Sequence, residues 1–511
     1  MAEVLEKIAQ NREEKIQKLG FHFGFSIPKE RKAPLCPPRF DPNAPLMIAE
    51  IKRSSPSAGH IGEIKDPIAL ARNYLNNGAN VISVLTEQDY FGGSLADLMA
   101  VKNAFKNASV LRKDFIQSPE EIAISYLAGA DLVLLIVAMF IGDSKKEAIF
   151  QNILLECQKY ALTPLLEIHN EEECQFALRF VNPANPSASP ILGINSRNLR
   201  TFVIDKPKAL HLRTKIPAPI KTIFESGIQS SFDGYLAGSF GFDGMLCGSY
   251  LVASKETGKN LQHLIKSFTL GKKHQNPFYP SVFASIYSNP TPLVKICGIT
   301  DIDDAYTASE AGADMIGFIL TPKSPRYISA KDVKLMSKAM NKLYPNVLKI
   351  GVITENKEEL IIAKELFKEG FLDAIQLHAI NPDTPDIYAG FDLKEADFNF
   401  YACSNFENLC DYPKEGVSPF VLLDSKSPQT GGSGKSIATS ELKKLKNLGK
   451  KLFIAGGIGL DNIDEILCLQ PKMLDINSKI EQTPGKKDKI KLKEIIHKIK
   501  TSHQLGSKET R

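Results

Sequence analysis

Ala128-Gly129-Ala130-Asp131-Leu132-Val133-Leu134-Leu135-Ile136-Val137 and Ala311-Gly312-Ala313-Asp314-Met315-Ile316-Gly317-Phe318-Ile319-Leu320 are two versions of one joint. Each follows a helical pattern. The glycine supplies a left-handed helix stop, and the flanking alanines keep the turn into the next element small. Each then enters a short, almost unbroken apolar run. A strand without polar alternation is covered on both faces, as in a parallel sheet with helices outside it. Asn77-Gly78-Ala79-Asn80 is a close relative of the same joint.

Outward from these joints the spacing repeats. Apolar, β-branched runs fall at 45–52, 81–87, 109–114, 131–137, 163–169, 191–196, 221–226 and 244–251. A second series follows at 292–298, 315–320, 348–354, 374–378, 398–403, 420–425, 451–457 and 473–478. The intervals leave room for a crossover helix each time. Two sets of eight strand–helix units, each near the roughly 200–250 residues of such a fold, predict an α/β chain of two (β/α)8 TIM barrels in tandem. The domains expected are a first barrel at 1–265 with an N-terminal helical extension, a linker at 266–291 rich in Lys, Ser, Asn and Pro, a second barrel at 292–500 and a polar tail at 501–511.

Composition narrows the class. The 511 residues are 43% hydrophobic and 24% charged, with a formal net charge of +5. That small charge gives no reason to expect nucleic acid, while a mildly basic balance suits anionic substrates. The eight cysteines contain no C-x-x-C pair, which points to a reducing compartment rather than a disulfide or zinc scaffold. The first twenty residues lack the apolar core of a signal peptide, and the run 132–141 is about half of a membrane span. No His/Cys/Asp cluster has ligand spacing and no dinucleotide fingerprint is present. The expectations are therefore a cytoplasmic protein with no membrane, nucleic-acid, metal or organic-cofactor partner; a fused pair of barrels is compatible with a monomer.

In this fold, active sites lie at the C-terminal strand ends, and phosphate is often held after strands 7 and 8. The sequence meets that test at four places: Glu225-Ser226-Gly227, Cys247-Gly248-Ser249, Ala455-Gly456-Gly457-Ile458-Gly459 and Asp475-Ile476-Asn477-Ser478. Glycines there let backbone N–H groups approach phosphate oxygens. Polar strand ends in the first barrel are Glu50, Lys52, Lys113, Glu167, Asn195, Arg197 and Ser226. Such a rim either divides acid and base work or forms a structural ring of ion pairs. The second barrel offers Cys297 and Asp424, although a lone cysteine in an apolar strand is more often a small core residue. Gln429 to Ser436 mimics a P-loop, but Gln429 fills the required first glycine, so this reads as a substrate-covering loop.

The motifs now identify families. Glu50-Ile51-Lys52-Arg53-Ser54-Ser55-Pro56-Ser57, Leu111-Arg112-Lys113-Asp114-Phe115, Leu166-Glu167-Ile168-His169-Asn170, Gly193-Ile194-Asn195-Ser196-Arg197-Asn198-Leu199 and Glu225-Ser226-Gly227-Ile228 together resemble indole-3-glycerol phosphate synthase. Lys295-Ile296-Cys297-Gly298, Ser324-Pro325-Arg326-Tyr327, Gln376-Leu377-His378, Leu422-Leu423-Asp424-Ser425, Gly431-Gly432-Ser433-Gly434-Lys435 and Ala455-Gly456-Gly457-Ile458 resemble phosphoribosylanthranilate isomerase. The whole is similar to the bifunctional fusion of tryptophan biosynthesis.

The resemblance implies small phosphosugar–anthranilate substrates and a role for each matching residue. Asp424 would protonate the ribose ring oxygen and Cys297 would take the C2′ proton, which a thiolate can do if its usual pKa of about 8.5 is lowered. Arg326 would hold anionic groups of the substrate; Gly456, Gly457, Asn477 and Ser478 would hold its phosphate. In the first barrel Lys113 would be general acid, Glu167 a base, and Lys52 a binding or proton-donating group. Glu50 and Asn195 would orient the intermediate, and Arg197 would pair with its carboxylate. Phe91, Phe115 and Leu199 would line the aryl pocket, with Ser226, Gly227, Gly248 and Ser249 on the phosphate. Two departures stand out: Lys479 and Ala379 occupy positions where the isomerase pattern favours glycine. The enzyme rival is an imine-forming lysine, Lys52 or Lys113, in an aldolase-type barrel. The non-enzyme rival is a phosphosugar-binding protein.

Overall fold

The structure, a computed structural model, describes residues 3–55, 59–62, 64–185, 189–199, 201–289, 291–425 and 436–502. It divides into two compact units, Met1–Gln275 and Asn276–Arg511. Each contains a closed barrel of eight parallel strands in chain order. The first is built from Leu46–Ile51, Val81–Leu85, Ser109–Lys113, Leu132–Ile136, Thr163–Ile168, Ile191–Asn195, Thr222–Glu225 and Gly244–Cys247. The second uses Leu293–Cys297, Met315–Ile319, Leu348–Ile353, Ala374–Leu377, Phe400–Phe406, Val421–Ser425, Phe453–Ile454 and Met473–Ile476. Among the described residues no helix is long and apolar enough to cross a membrane.

Three strands depart most from the sequence reading, and of the run 451–457 only Phe453–Ile454 is strand. The run 244–251 stops at Cys247, and Ser249–Val252 wind into a helical turn. The run 398–403 shifts to Phe400–Phe406, and just before it the Asn399 amide donates to Asn276 and to the Asp373 carbonyl. Its far end, Ser404 to Phe406, pairs with Leu423 to Ser425 of the next strand. Three two-stranded ribbons, such as Glu481–Thr483 with Lys486–Lys487, were not anticipated.

Most of 266–291, read as a linker, is helix. Thr257–Lys273 belongs to the first unit, and Phe278–Tyr287 belongs to the second. Phe278, Tyr279, Val282, Phe283 and Ile286 recur at helical spacing and are buried. The polar residues around them hide that period in the sequence. The Tyr279 hydroxyl donates to the Phe400 carbonyl at 2.8 Å and accepts from the Phe400 N–H at 3.0 Å. This helix therefore seals the N-terminal end of the second barrel's fifth strand.

The N-terminal extension is the helix Glu3–Leu19 followed by an extended segment. Ile8 joins the barrel core with Leu46, Ile48, Leu111, Leu134 and Leu165. The buried Arg12 guanidinium pairs with Asp114 at 2.6 Å and with Glu121, and Arg112 reaches Asp114 at 2.9 Å. Burial alone would lower the Arg12 pKa, but the two carboxylates outweigh it. The helix is thus anchored to the residue that follows Lys113.

Candidate active sites

A cavity of about 170 Å³ lies at the C-terminal strand ends of the first barrel. Its wall includes Glu50, Lys52, Lys113, Glu167, Asn195 and Arg197, together with Phe91, Phe115 and Leu199, and Ser226, Gly227, Gly248 and Ser249. Leu5 and Ile8 of the N-terminal helix line it as well. All the first-barrel residues singled out from the sequence meet there. Pro56 and Ser57 of the first motif lie outside the described residues.

Lys113 is the centre of the charge arrangement. Its Nζ stands 3.3 Å from Glu167 Oε2 and 3.3 Å from Glu225 Oε2. Burial would lower the ammonium, but Glu225, Glu167 and Glu50 together hold it well above its ordinary value. Glu167 is the mirror case: desolvation pushes it up, and Lys113, His169 and Asn195 overcome that and hold it low. Glu225 goes the other way, pushed up to about 7 by desolvation against the pull of Lys113, with Glu167 adding to the rise. Two carboxyls flanking one lysine are therefore driven apart in proton affinity, the pattern that separates acid from base.

Glu225 and His169 are the residues that motif reading missed as functional groups. His169 Nδ1 sits 2.8 Å from Glu173, and its Nε2 sits 3.2 Å from Glu167. The two glutamates outweigh the desolvation of the ring and raise it to about 9. On the other side, Lys52 Nζ reaches Glu50 Oε2 at 2.7 Å, while Glu50 Oε1 is buried with no hydrogen-bond partner among the described residues. Asn195 Oδ1 accepts from the Arg197 N–H at 2.9 Å. Arg197 lines the cavity with its pKa lowered by desolvation, in spite of Glu50.

At the phosphate-loop positions, Ser226 and Gly227 both take left-handed backbone, with φ of 65° and 73°. Strain at a serine of that kind concentrates at functional sites. A side chain at Gly227 would collide with Ile204 and Ser196, and one at Gly248 would collide with Glu50.

The second barrel holds Cys297 at the end of its first strand and Asp424 on its sixth. Beneath them lies a buried polar layer invisible to motif reading. Lys295 Nζ donates to Asp475 Oδ2 at 2.6 Å and Gln376 Oε1 at 2.5 Å, and lies 3.5 Å from Cys297 Sγ. Tyr401 donates to the same Gln376 oxygen at 2.8 Å. A period-two search for polar residues within these apolar strands finds this layer, since Lys295 and Cys297 share one face.

Desolvation raises the Asp424 carboxyl, with His378 opposing and Asp475 adding, which suits a proton donor. It also pushes the Cys297 thiol up to about 11, Asp475 adding to the effect and Lys295 and Lys487 opposing it. That is the reverse of the lowering that would favour a thiolate base: burial in the barrel outweighs the two nearby ammonium groups.

Arg326, expected to hold substrate anions, is clamped by Glu481 at 2.7 and 3.0 Å. It adjoins Gly298 and Asn477, and Asn477 Oδ1 accepts from the buried Lys487 at 2.8 Å. Gly456 and Gly457 are left-handed, and a side chain at Gly456 would run into Asp424 and Ser425. Ser478 opens the short turn Ser478–Ile480. Lys479 turns aside to pair with Asp461 at 2.7 Å, and Ala379 takes a φ of 58°, a geometry that costs a non-glycine residue about 1–2 kcal/mol. The glycine-rich residues 431–435 lie outside the described residues.

Residues 5–264 match the family of indole-3-glycerol phosphate synthase, and residues 294–498 match that of N-(5′-phosphoribosyl)anthranilate isomerase. A multifunctional tryptophan biosynthesis protein of Phycomyces blakesleeanus is 28% identical over 91% of this chain and 64% of its own length. Its counterpart in Schizosaccharomyces pombe is 28% identical over 90% of this chain and 60% of its own length, so the chain spans less than two thirds of these relatives. The indole-3-glycerol phosphate synthase of Rhodococcus opacus is 38% identical over 46% of this chain and 85% of its own. The phosphoribosyl anthranilate isomerase structure from Thermus thermophilus is 32% identical, covers 42% of this chain and 98% of its own, and has a TM-score of 0.34. Over residues 5–264, just over half its length, the chain belongs to the indole-3-glycerol phosphate synthase family, and residues 294–498 fuse to it a phosphoribosylanthranilate isomerase domain.

Proposed function

We propose that the chain catalyses two consecutive steps of tryptophan biosynthesis. The second barrel rearranges N-(5-phosphoribosyl)anthranilate to 1-(2-carboxyphenylamino)-1-deoxyribulose 5-phosphate. Asp424 gives its proton to the ribose ring oxygen as the C1′–O bond breaks, and Cys297 takes the C2′ proton from the resulting iminium; the enol that forms becomes the ketone. Gly456, Gly457, Asn477 and Ser478 cradle the phosphate, and Arg326, held by Glu481, meets anionic groups of the substrate.

The first barrel closes the indole ring of that product. Lys113 protonates the ketone oxygen as the ring carbon that bears the carboxylate attacks the carbonyl carbon, CO2 leaves that ring carbon, and loss of the new hydroxyl as water with Glu167 as base gives indole-3-glycerol phosphate. Lys52 and Arg197 meet the anionic groups of the intermediate, while Glu50 and Asn195 orient it. Phe91, Phe115 and Leu199 enclose the aryl ring; Ser226, Gly227, Gly248 and Ser249 take the phosphate.

The observation that carries this reading is Lys113, 3.3 Å from both Glu167 and Glu225, in a cavity lined by the matching motifs. Carboxylates that hold the lysine as an ammonium suit a proton donor and oppose an imine-forming nucleophile. Eight free cysteines suit the cytoplasm, and a monomer suffices for both reactions. The test supplies phosphoribosylanthranilate generated in situ and follows its fluorescence together with indole product. Asp424→Asn is expected to stop consumption, and Lys113→Ala to stop the reaction at the rearranged intermediate. Silence of the unaltered chain with both substrates would sink the reading.

A further inference from the structure

His378 directly follows the fourth strand of the second barrel, Cys403 lies midway along the fifth and Asp424 near the end of the sixth, so no sequence spacing announces them together. The fold brings one ligand atom from each to within 4.8 Å of the others. His378 Nδ1 lies 3.5 Å from Cys403 Sγ. Zinc–sulfur and zinc–nitrogen bonds of about 2.3 and 2.0–2.1 Å, meeting at a tetrahedral angle, put those two atoms roughly 3.6 Å apart. This pair is therefore already set at one edge of a zinc tetrahedron.

The surroundings favour a cation of that kind. Thiolate, imidazole and carboxylate are donors that zinc accepts, and three protein ligands leave one of its four positions to water. The nearest ammonium below, Lys295, is engaged by Asp475 at 2.6 Å, so it does not stand as an unpaired positive charge. A dication meeting the thiolate of Cys403 and the carboxylate of Asp424 is balanced in charge. The ligand backbones are also tied in place. The Ile380 N–H donates to the Cys403 carbonyl at 2.9 Å, and the Tyr388 hydroxyl lies 2.9 Å from the His378 carbonyl oxygen.

We propose that the second barrel binds one zinc ion through His378, Cys403 and Asp424, and that the ion silences the isomerase by occupying the carboxyl that must deliver the proton. The silencing rests on the isomerase reading above; the binding does not.

The full chain, stripped of metal, is titrated with Co2+ and then with Zn2+. One cobalt per chain should give a thiolate-to-cobalt charge-transfer band and strong tetrahedral visible bands, both removed by zinc. Cys403→Ser should abolish the charge-transfer band and weaken zinc by at least about tenfold, an effect of the size seen when a metal site's support is lost. The exposed thiols Cys410 and Cys468 are the competing takers, so a Cys410→Ser/Cys468→Ser chain should keep the band. Isomerase turnover, taken for each protein relative to its own metal-free rate, should fall with zinc occupancy in the unaltered chain. Over the same zinc range it should hold in Cys403→Ser. Indole-forming turnover on the pre-rearranged intermediate should be untouched by zinc, and the metal-free isomerase rate reports that the second barrel of each chain is folded; if Cys403→Ser loses that rate, Cys403→Ala takes its place. A band that survives in the Cys403 variants, disappears with Cys410 and Cys468, or never forms overturns the site. A chain without isomerase turnover even when metal-free overturns the isomerase reading, and the cobalt band still decides the zinc site.

Discussion

Gly193 lacks a side chain because Glu225 needs the space: a Cβ there would fall on the carboxylate oxygen. The room it leaves sets Glu225 beside Lys113, with its carboxyl pushed up to about 7. Below that pH the neutral carboxyl leaves Lys113 the better acid; above it the added negative charge holds the lysine proton more tightly. The synthase kcat/KM is therefore expected to fall on the order of tenfold as pH rises through about 7, and Glu225→Gln should flatten that limb. A flat profile in the unaltered chain defeats the argument. The isomerase should behave differently. Its productive form needs a protonated Asp424 with an ionised Cys297, yet the carboxyl is raised only from a low starting value while the thiol is pushed up to about 11. The active species is then the minor partner of a singly protonated pair, and kcat/KM should stay level through neutrality, with its alkaline limb near 11. An alkaline limb at 7 to 8 would show a thiol activated far beyond what Lys295 and Lys487 supply. Neither behaviour was legible in the motifs. They name Glu225 and Cys297 but not the burial that sets their proton affinities.

The joints between helices and strands were half legible. The glycines do stop helices in the left-handed region, with φ near 102–104° at Gly78, Gly129 and Gly312. What the sequence hides is the acid or amide that follows. Asn80, Asp131, Asp243, Asp314 and Asp373 accept the backbone N–H of Met47, Val110, Thr222, Val294 and Lys349 respectively, at 2.7–3.0 Å. Each lies at the start of one strand and satisfies a donor on the strand before it, so its partner is distant in sequence. Context then sets the worth of each joint. Asp131 is fully buried, with Lys102 at 2.7 Å and Arg31 at 2.6 Å, whereas Asp314 is partly exposed and pairs with Lys500 near the surface. Asp131→Ala should cost about 3–5 kcal/mol, because it strands buried cations. Asp314→Ala should cost about 1–2 kcal/mol, the scale of a charged hydrogen bond. Denaturant unfolding of the two variants measures the difference; equal losses would mean that the joint, not its buried charges, sets the cost.

At the scale of the whole chain, strand counting succeeded because each barrel strand is a compact apolar run at regular spacing, and both barrels close with eight. The helix inside 266–291 escaped the reading, because composition was asked to locate an element whose evidence is periodicity. Lys, Ser, Asn and Pro surround the helix Phe278–Tyr287 and mask its buried face. The same limit applies to sites. The first-barrel residues sit at strand ends within recognisable motifs, but the Lys295, Gln376, Tyr401 and Asp475 layer is assembled from four separate strands. The boundary can be tested by cutting the chain. A fragment of residues 276–511 keeps the helix, whereas one of residues 292–511 loses Phe278, Tyr279, Val282, Phe283 and Ile286 from the interior. Each of those buried side chains contributes roughly 1.5–3 kcal/mol before the cost of ordering the helix. Loss of the Tyr279 hydroxyl also removes its two hydrogen bonds to the Phe400 backbone, at about 0.5–1.5 kcal/mol each. The longer fragment should unfold cooperatively and retain isomerase turnover, and the shorter one should melt well below it or be recovered aggregated. Equal melting temperatures would show that the barrel closes without its sealing helix, and that the second domain begins at its first strand.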